Sequence, residues 1–124
     1  MTPRWVNVIA ILGCLFLGLI LALSFFLPYM SRNVEEKYAY AIVRDLKNYQ
    51  DWALHSDVPK AAKILSYVYK GTNTKQRSGS ALDQMCSTER SNVIVQIIGY
   101  LRTKTGEDLG DIPEPWIQKY VAKD

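Results

Sequence analysis

VIAILGCLFLGLILALSFFL, residues 8–27, is a run of 20 side chains with neither a charge nor an amide. At ~1.5 Å rise per helical residue, such a run matches the ~30 Å hydrocarbon core of a bilayer. The uncharged stretch around it reaches from Trp5 to Met30, 26 residues in all. Trp5 and Tyr29 stand at its two ends, at the headgroup level where an amphipathic ring is dry on one face and wet on the other. Pro28 lowers the helical bias of its neighbours, which predicts an exit or a kink there. The reading is an uncleaved, single-pass anchor over residues 1–30.

Two rival readings fit less well. A cleaved signal peptide would use Arg4 in its charged region, but its apolar core would be only ~7–15 residues. Its small-x-small site, Ala22-Leu23-Ser24, is followed by Phe25-Phe26-Leu27, which is still apolar. A lipoprotein signal would use Ile11-Leu12-Gly13-Cys14, with too few apolar residues before it and too many after. Within the run, Ala10, Cys14, Gly18 and Ala22 recur every four residues. That spacing places small side chains on one slowly drifting face, a candidate seam for close approach of another membrane helix. Lipid-spanning helices are rich in Gly and Ala anyway, and six of the 20 residues are Ala, Gly, Cys or Ser.

Beyond the run lies a more polar stretch of 94 residues, 31–124, enough for one small core. This excludes a multidomain enzyme, a polytopic transporter and a collagen. Arg4 lies on one flank of the run, and Arg32, Lys37, Arg44 and Lys47 on the other. Counting basic residues therefore favours a cytoplasmic domain, although domains longer than ~60 residues cross largely regardless of charge. The two cysteines, Cys14 in the apolar run and Cys86 in the polar part, build no disulfide framework.

The expected fold is all-α, with three helices and a short terminal one after the membrane helix. Asn33-Val34-Glu35-Glu36 has the form of a capping box opening a helix. Tyr38, Ile42, Leu46, Tyr49 and Ala53 then follow at helical spacing. A second helix starts after Ser56-Asp57, with Pro59 in its first turn. It carries Val58, Ala61, Ala62, Leu65, Val68 and Tyr69 on its apolar face and ends in a left-handed cap at Gly71. Residues 71–80 are polar throughout and predict an exposed mobile loop. Ser80 to Asp83 cap a third helix that reaches about Lys104, with Gly106 past its end. Val93-Ile94-Val95 is strand-like, but nothing else in the chain would pair with it, so helix is preferred. Pro113-Glu114-Pro115 opens the short helix, whose Trp116, Ile117, Tyr120 and Val121 share a face.

The segment Tyr100-Leu101-Arg102, Thr105 to Gly110, Pro113-Glu114 and Trp116-Ile117 resembles the closing segments of helical, HEAT-like proteins among uncharacterised bacterial proteins. The resemblance covers about 20 residues and implies a helical packing module. It brings no catalytic residue with it, and it implies binding rather than catalysis.

Chemistry-bearing motifs are sparse. His55 is the only histidine and sits where the first polar helix should end, which suits a helix-end imidazole more than a base. The chain has no GxxxxGK[ST], GxGxxG or HExxH, and no hydrolase signature around a nucleophile. Glu107, Asp108, Asp111 and Glu114 lack the 12-residue spacing of a calcium loop and read as a solvated acidic turn. No enzyme activity, cofactor or metal is expected. Between Val58 and Leu82 five basic residues, Lys60, Lys63, Lys70, Lys75 and Arg77, occur with no acidic one. They are candidates for contact with anionic lipid or an acidic partner protein, their plain alternative being a solvated face. The domain as a whole is only +2, with 14 basic and 12 acidic residues, and carries no nucleic-acid-binding motif. Its acidic 107–114 segment gives it an opposite pole suited to docking between charged proteins. Trp116, Ile117 and Tyr120 complete the partner-contact candidates, since so short a helix must dock on its own domain or on a partner. The expected role is an accessory or scaffold subunit of a larger membrane complex. The alternative is a membrane-tethered module that binds or senses a small ligand.

Overall fold

The computed structural model describes residues 4–71 and 78–121. Every regular element among them is helical: α1 is Arg4–Leu54, α2 Val58–Lys70, α3 Ala81–Thr105 and α4 Pro113–Tyr120. The chain divides into two compact units, Met1–Glu35 and Glu36–Asp124.

In the first unit, α1 is the sole element. Its side chains from Arg4 to Arg32 are all exposed. It is the one helix among the described residues long and apolar enough to cross a membrane, and none of its apolar window is buried within the protein. Pro28 lies inside α1 and does not end it. A proline there removes its own N–H bond, but good helix formers on both sides carry the helix past one missing bond. Asn33 to Glu36 likewise lie within α1 and open no new helix. A capping box works where the preceding backbone leaves the helical region, and here the preceding run is itself helical.

In the second unit, the stretch of α1 from Glu36, with α2, α3 and α4, encloses one core. Leu46 and Ala53 of α1 join Ala61, Ala62, Ile64, Leu65 and Val68 of α2, Val93, Ile97, Ile98 and Leu101 of α3, and Trp116 of α4. On α1 the buried stripe runs Ala39, Ile42, Leu46, Tyr49, Ala53, with Ala39 fully buried and Tyr38 exposed. Steps of 3, 4, 3 and 4 hold that stripe on one face, and Tyr38 lies one position off it. Tyr69 is also exposed, whereas Ile64, absent from the expected set, is buried. The alanines at 39, 53, 61 and 62 have no exposed surface at all. Side chains this small let helices approach closely enough for Val93 and Leu101 to be enclosed. Polar links join the elements as well: Gln50 and Gln96 share a hydrogen bond, and the Tyr100 hydroxyl donates to the carbonyl of Ser56.

Local chemistry sets the helix ends. Ser80 Oγ accepts from the Asp83 N–H at 3.1 Å, and Asp83 Oδ2 accepts from the Gly79 N–H at 2.9 Å, so α3 opens with two donors satisfied. It closes at Gly106, whose φ of 70° and ψ of 7° are left-handed. Gly71 closes α2 differently from the expected left-handed cap. Its φ is 63° but its ψ is 153°, a region that only glycine enters freely. Of the expected loop 71–80, residues 72–77 lie outside the described residues, and the turn at Ser78 and Gly79 leads into the Ser80 cap.

Candidate functional site

The second unit holds a cleft of about 250 Å³ formed where α1, the end of α2 and α3 meet. Ile42, Leu46 and Val68 form its apolar floor, with Tyr49 and Tyr67 as aromatic sides. Its charged groups are Asp45, Lys70 and Arg90. Asp45 is exposed and stands 3.8 Å from Arg44 Nε. Lys70, in the last turn of α2, is exposed. Arg90 is half-buried, makes no ion pair among the described residues, and its buried Nε has no hydrogen-bond partner. The guanidinium lies close beside Gly71, where a Cβ would come within 2.9 Å of Nη1. Glycine at 71 thus answers two needs, the positive φ and the space taken by the arginine head.

Arg90 was not among the residues singled out from sequence, yet a signal for it exists. Cys86, Arg90, Val93, Ile97 and Leu101 follow at steps of 4, 3, 4 and 4, so a permanent cation occupies a position of the buried stripe of α3. Cys86 beneath it is buried, its thiol 3.8 Å from the carbonyl of Ala39. Burial pushes that thiol pKa up, against a smaller lowering by the nearby Arg90 charge.

The residues expected from sequence are dispersed. Ala10, Cys14, Gly18 and Ala22 all lie exposed on the first part of α1, and a Cβ at Gly18 would meet nothing within 4 Å. Trp5 and Tyr29 are exposed there too. Lys60, Lys63 and Lys70 are exposed on α2, whereas Lys75 and Arg77 lie outside the described residues. His55 follows α1 as expected, its Nδ1 donating to the Asp51 carbonyl at 2.8 Å. Among the described residues no group of three His, Cys, Asp or Glu side chains is placed to hold a metal ion.

The C-terminal candidates turn inward. Trp116 has no exposed surface, donates through Nε1 to the Gly110 carbonyl at 2.9 Å, and stacks on Tyr120 at 6.2 Å. Ile117 and Tyr120 pack, half-buried, against the same core. The dock of α4 is therefore on its own domain, and Trp116 offers nothing to a partner. The acidic segment is likewise drawn into internal pairs. Arg102 holds Asp108 at 2.9 Å and Asp111 at 2.7 Å, and Lys119 holds Glu107 at 2.6 Å. The Tyr69 and Tyr120 hydroxyls donate to Glu114 and Glu107 respectively. Asp108 and Asp111 stay solvent-exposed as expected, and the segment also carries a set of tethers, because Arg102, Lys119 and the two tyrosines converge on it from three helices. Hydrogen bonds from Lys119 and then Tyr120 hold the Glu107 carboxyl below its ordinary pKa. The Gly110 N–H and then Arg102 do the same for Asp108.

No protein-family model, no curated protein and no solved structure matches this chain significantly.

Proposed function

We propose that this is a single-pass membrane protein, anchored by the first part of α1, whose helical domain serves as a non-enzymatic accessory or scaffold subunit of a larger membrane complex. One observation carries the reading: a lipid-length apolar helix segment none of whose residues is buried within the protein. Apolar area of that extent is costly in water at about 25 cal/mol per Å² and needs a cover, which a bilayer supplies. The domain adds exposed Tyr40 and Trp52, side chains of the kind enriched at protein contacts. The resemblance of residues 100–117 to HEAT-like closing segments agrees with a packing role. Basic residues beyond the anchor favour a cytoplasmic domain and contact with anionic headgroups. Purification of the full chain in mild detergent tests the role: co-purifying subunits in fixed stoichiometry are expected. Recovery of the chain alone, under conditions that preserve other membrane complexes, would contradict it.

A second reading, a membrane-tethered module for a small ligand, is favoured by the cleft at Arg90 and its unpartnered Nε.

A further inference from the structure

We propose that the cleft between α1, α2 and α3 binds a small amphipathic monocarboxylate, with its carboxylate on Arg90 and its apolar body along Ile42, Leu46 and Val68. The inference gives the ligand-binding reading its chemical class and rests on that reading. It is independent of whether the chain belongs to a complex.

Burying a cation without a partner is costly, and proteins ordinarily pair it. Arg90 is half-buried, its Nε is shielded from water and unbonded, and no acidic side chain among the described residues pairs with it. The guanidinium lies beside Gly71, itself part of the cleft lining, whose lack of a Cβ leaves room for it. Because the Nε is closed even to water, the donors that the arginine head can offer at the cleft wall are its two Nη groups. A planar guanidinium presents parallel N–H donors that match the two oxygens of a carboxylate.

Charge selects a single negative charge. Lys70 and Arg90 line the cleft with Asp45, which leaves one net positive charge. A dianionic phosphate would gain little from that balance and would be repelled by Asp45. The rest of the lining calls for an apolar body. Leu46 and Val68 are buried, Ile42 is half-buried, and the rings of Tyr49 and Tyr67 complete the wall. At about 250 Å³ the space lies just under the usual ~300–1,000 Å³ of ligand sites, so the ligand is small.

Octanoate is the probe, titrated calorimetrically into the full chain in zwitterionic nanodiscs, with empty nanodiscs as the blank. Octanol tests the need for charge, and octyl phosphate at about pH 8, where it is dianionic, tests the need for a single charge. Saturable binding of octanoate is expected, about tenfold or more tighter than that of octanol and tighter than that of octyl phosphate. Arg90→Met keeps the apolar stem and should weaken octanoate about tenfold or more, with helical circular dichroism unchanged. Lys70→Gln, at an exposed position, should weaken it about threefold and carries the mutational arm if Arg90→Met does not fold. Octanol binding as tightly as octanoate, or tighter binding of octyl phosphate, would overturn the carboxylate class while leaving a ligand-binding cleft. Absence of binding by all three probes would overturn both the class and the ligand-binding reading. Undiminished octanoate binding by folded Arg90→Met would place the site elsewhere and equally defeat the proposal.

Discussion

Trp116 and Arg90 show how one residue's surroundings decide its use. Both are large side chains on short stretches of sequence with little else to mark them. The Trp116 ring is enclosed completely and its one donor is satisfied by Gly110. Nothing of it remains for a partner. Truncation removes the ring and leaves a cavity, and for Trp→Ala changes the combined cost is about 3–5 kcal/mol. That is a large share of the ~5–15 kcal/mol of a small domain. Trp116→Ala should therefore lower the thermal midpoint markedly, as followed by circular dichroism of the full chain in detergent. A midpoint equal to that of the parent would mean that α4 is not docked where it is described. Periodicity alone placed Trp116 on an apolar face but could not say which surface covered it, since 3.6-residue spacing reports a face and not its neighbour. Arg90 escaped notice for the converse reason. Charged residues on helices are ordinarily solvated, and only the register with Cys86 and Val93 reveals that this one sits on the buried stripe.

Helix ends written in local chemistry were legible and those overridden by context were not. Ser80, Asp83 and Gly106 bound α3 as their side chains and φ preference require, because caps act within four residues. Pro28 and Asn33 carry signals of equal strength, yet α1 continues through both. The acidic 107–114 segment is a third case: Asp108 and Asp111 are solvent-exposed as read, and what periodicity did not reveal is that its carboxylates are bound by partners 6 to 13 positions away. These tethers give a sign to the pH dependence. Glu107 and Asp108 have folded-state pKa values below their ordinary 4.5 and 3.8. Their contribution is present above those ordinary values and is lost as pH falls through the depressed ones. Lys119 and Tyr120 are shifted the other way, raised chiefly by their hydrogen bonds to Glu107. Their contribution is present below the ordinary 10.5 and 10.0 and is lost as pH rises through the elevated values. A thermal midpoint scanned against pH should be level from about 5 to 9 and fall on both sides, the alkaline fall beginning with Cys86, whose pKa burial raises from its ordinary 9.0. Arg102→Met should reduce the midpoint on the plateau and flatten the acid limb, since Asp108 then loses one cause of its lowered pKa. A plateau and an acid limb both unchanged in that variant would show the Arg102 pairs to be without effect on stability.

At the scale of the molecule, the sequence divides into a stretch that needs an apolar cover and a domain that supplies its own. The domain closes its core with Leu46, Leu65, Ile97 and Trp116 and leaves a cleft lined by Arg90, unpaired among the described residues. The first part of α1 closes nothing, and its side chains are exposed throughout. That division was legible because lipid-length apolarity is a one-dimensional property, read by counting. The cleft was not, since it exists only when residues some 45 positions apart, Asp45 and Arg90, line one space. The proposed role depends first on whether the apolar segment stays in a bilayer. Alkaline carbonate extraction of membranes from cells making the full chain, with the intact mass read in each fraction, tests this most directly. The chain is expected to stay in the membrane pellet and to retain residues 1–30. Release of the full chain into the supernatant, or recovery of a product cleaved after the apolar run, would contradict it.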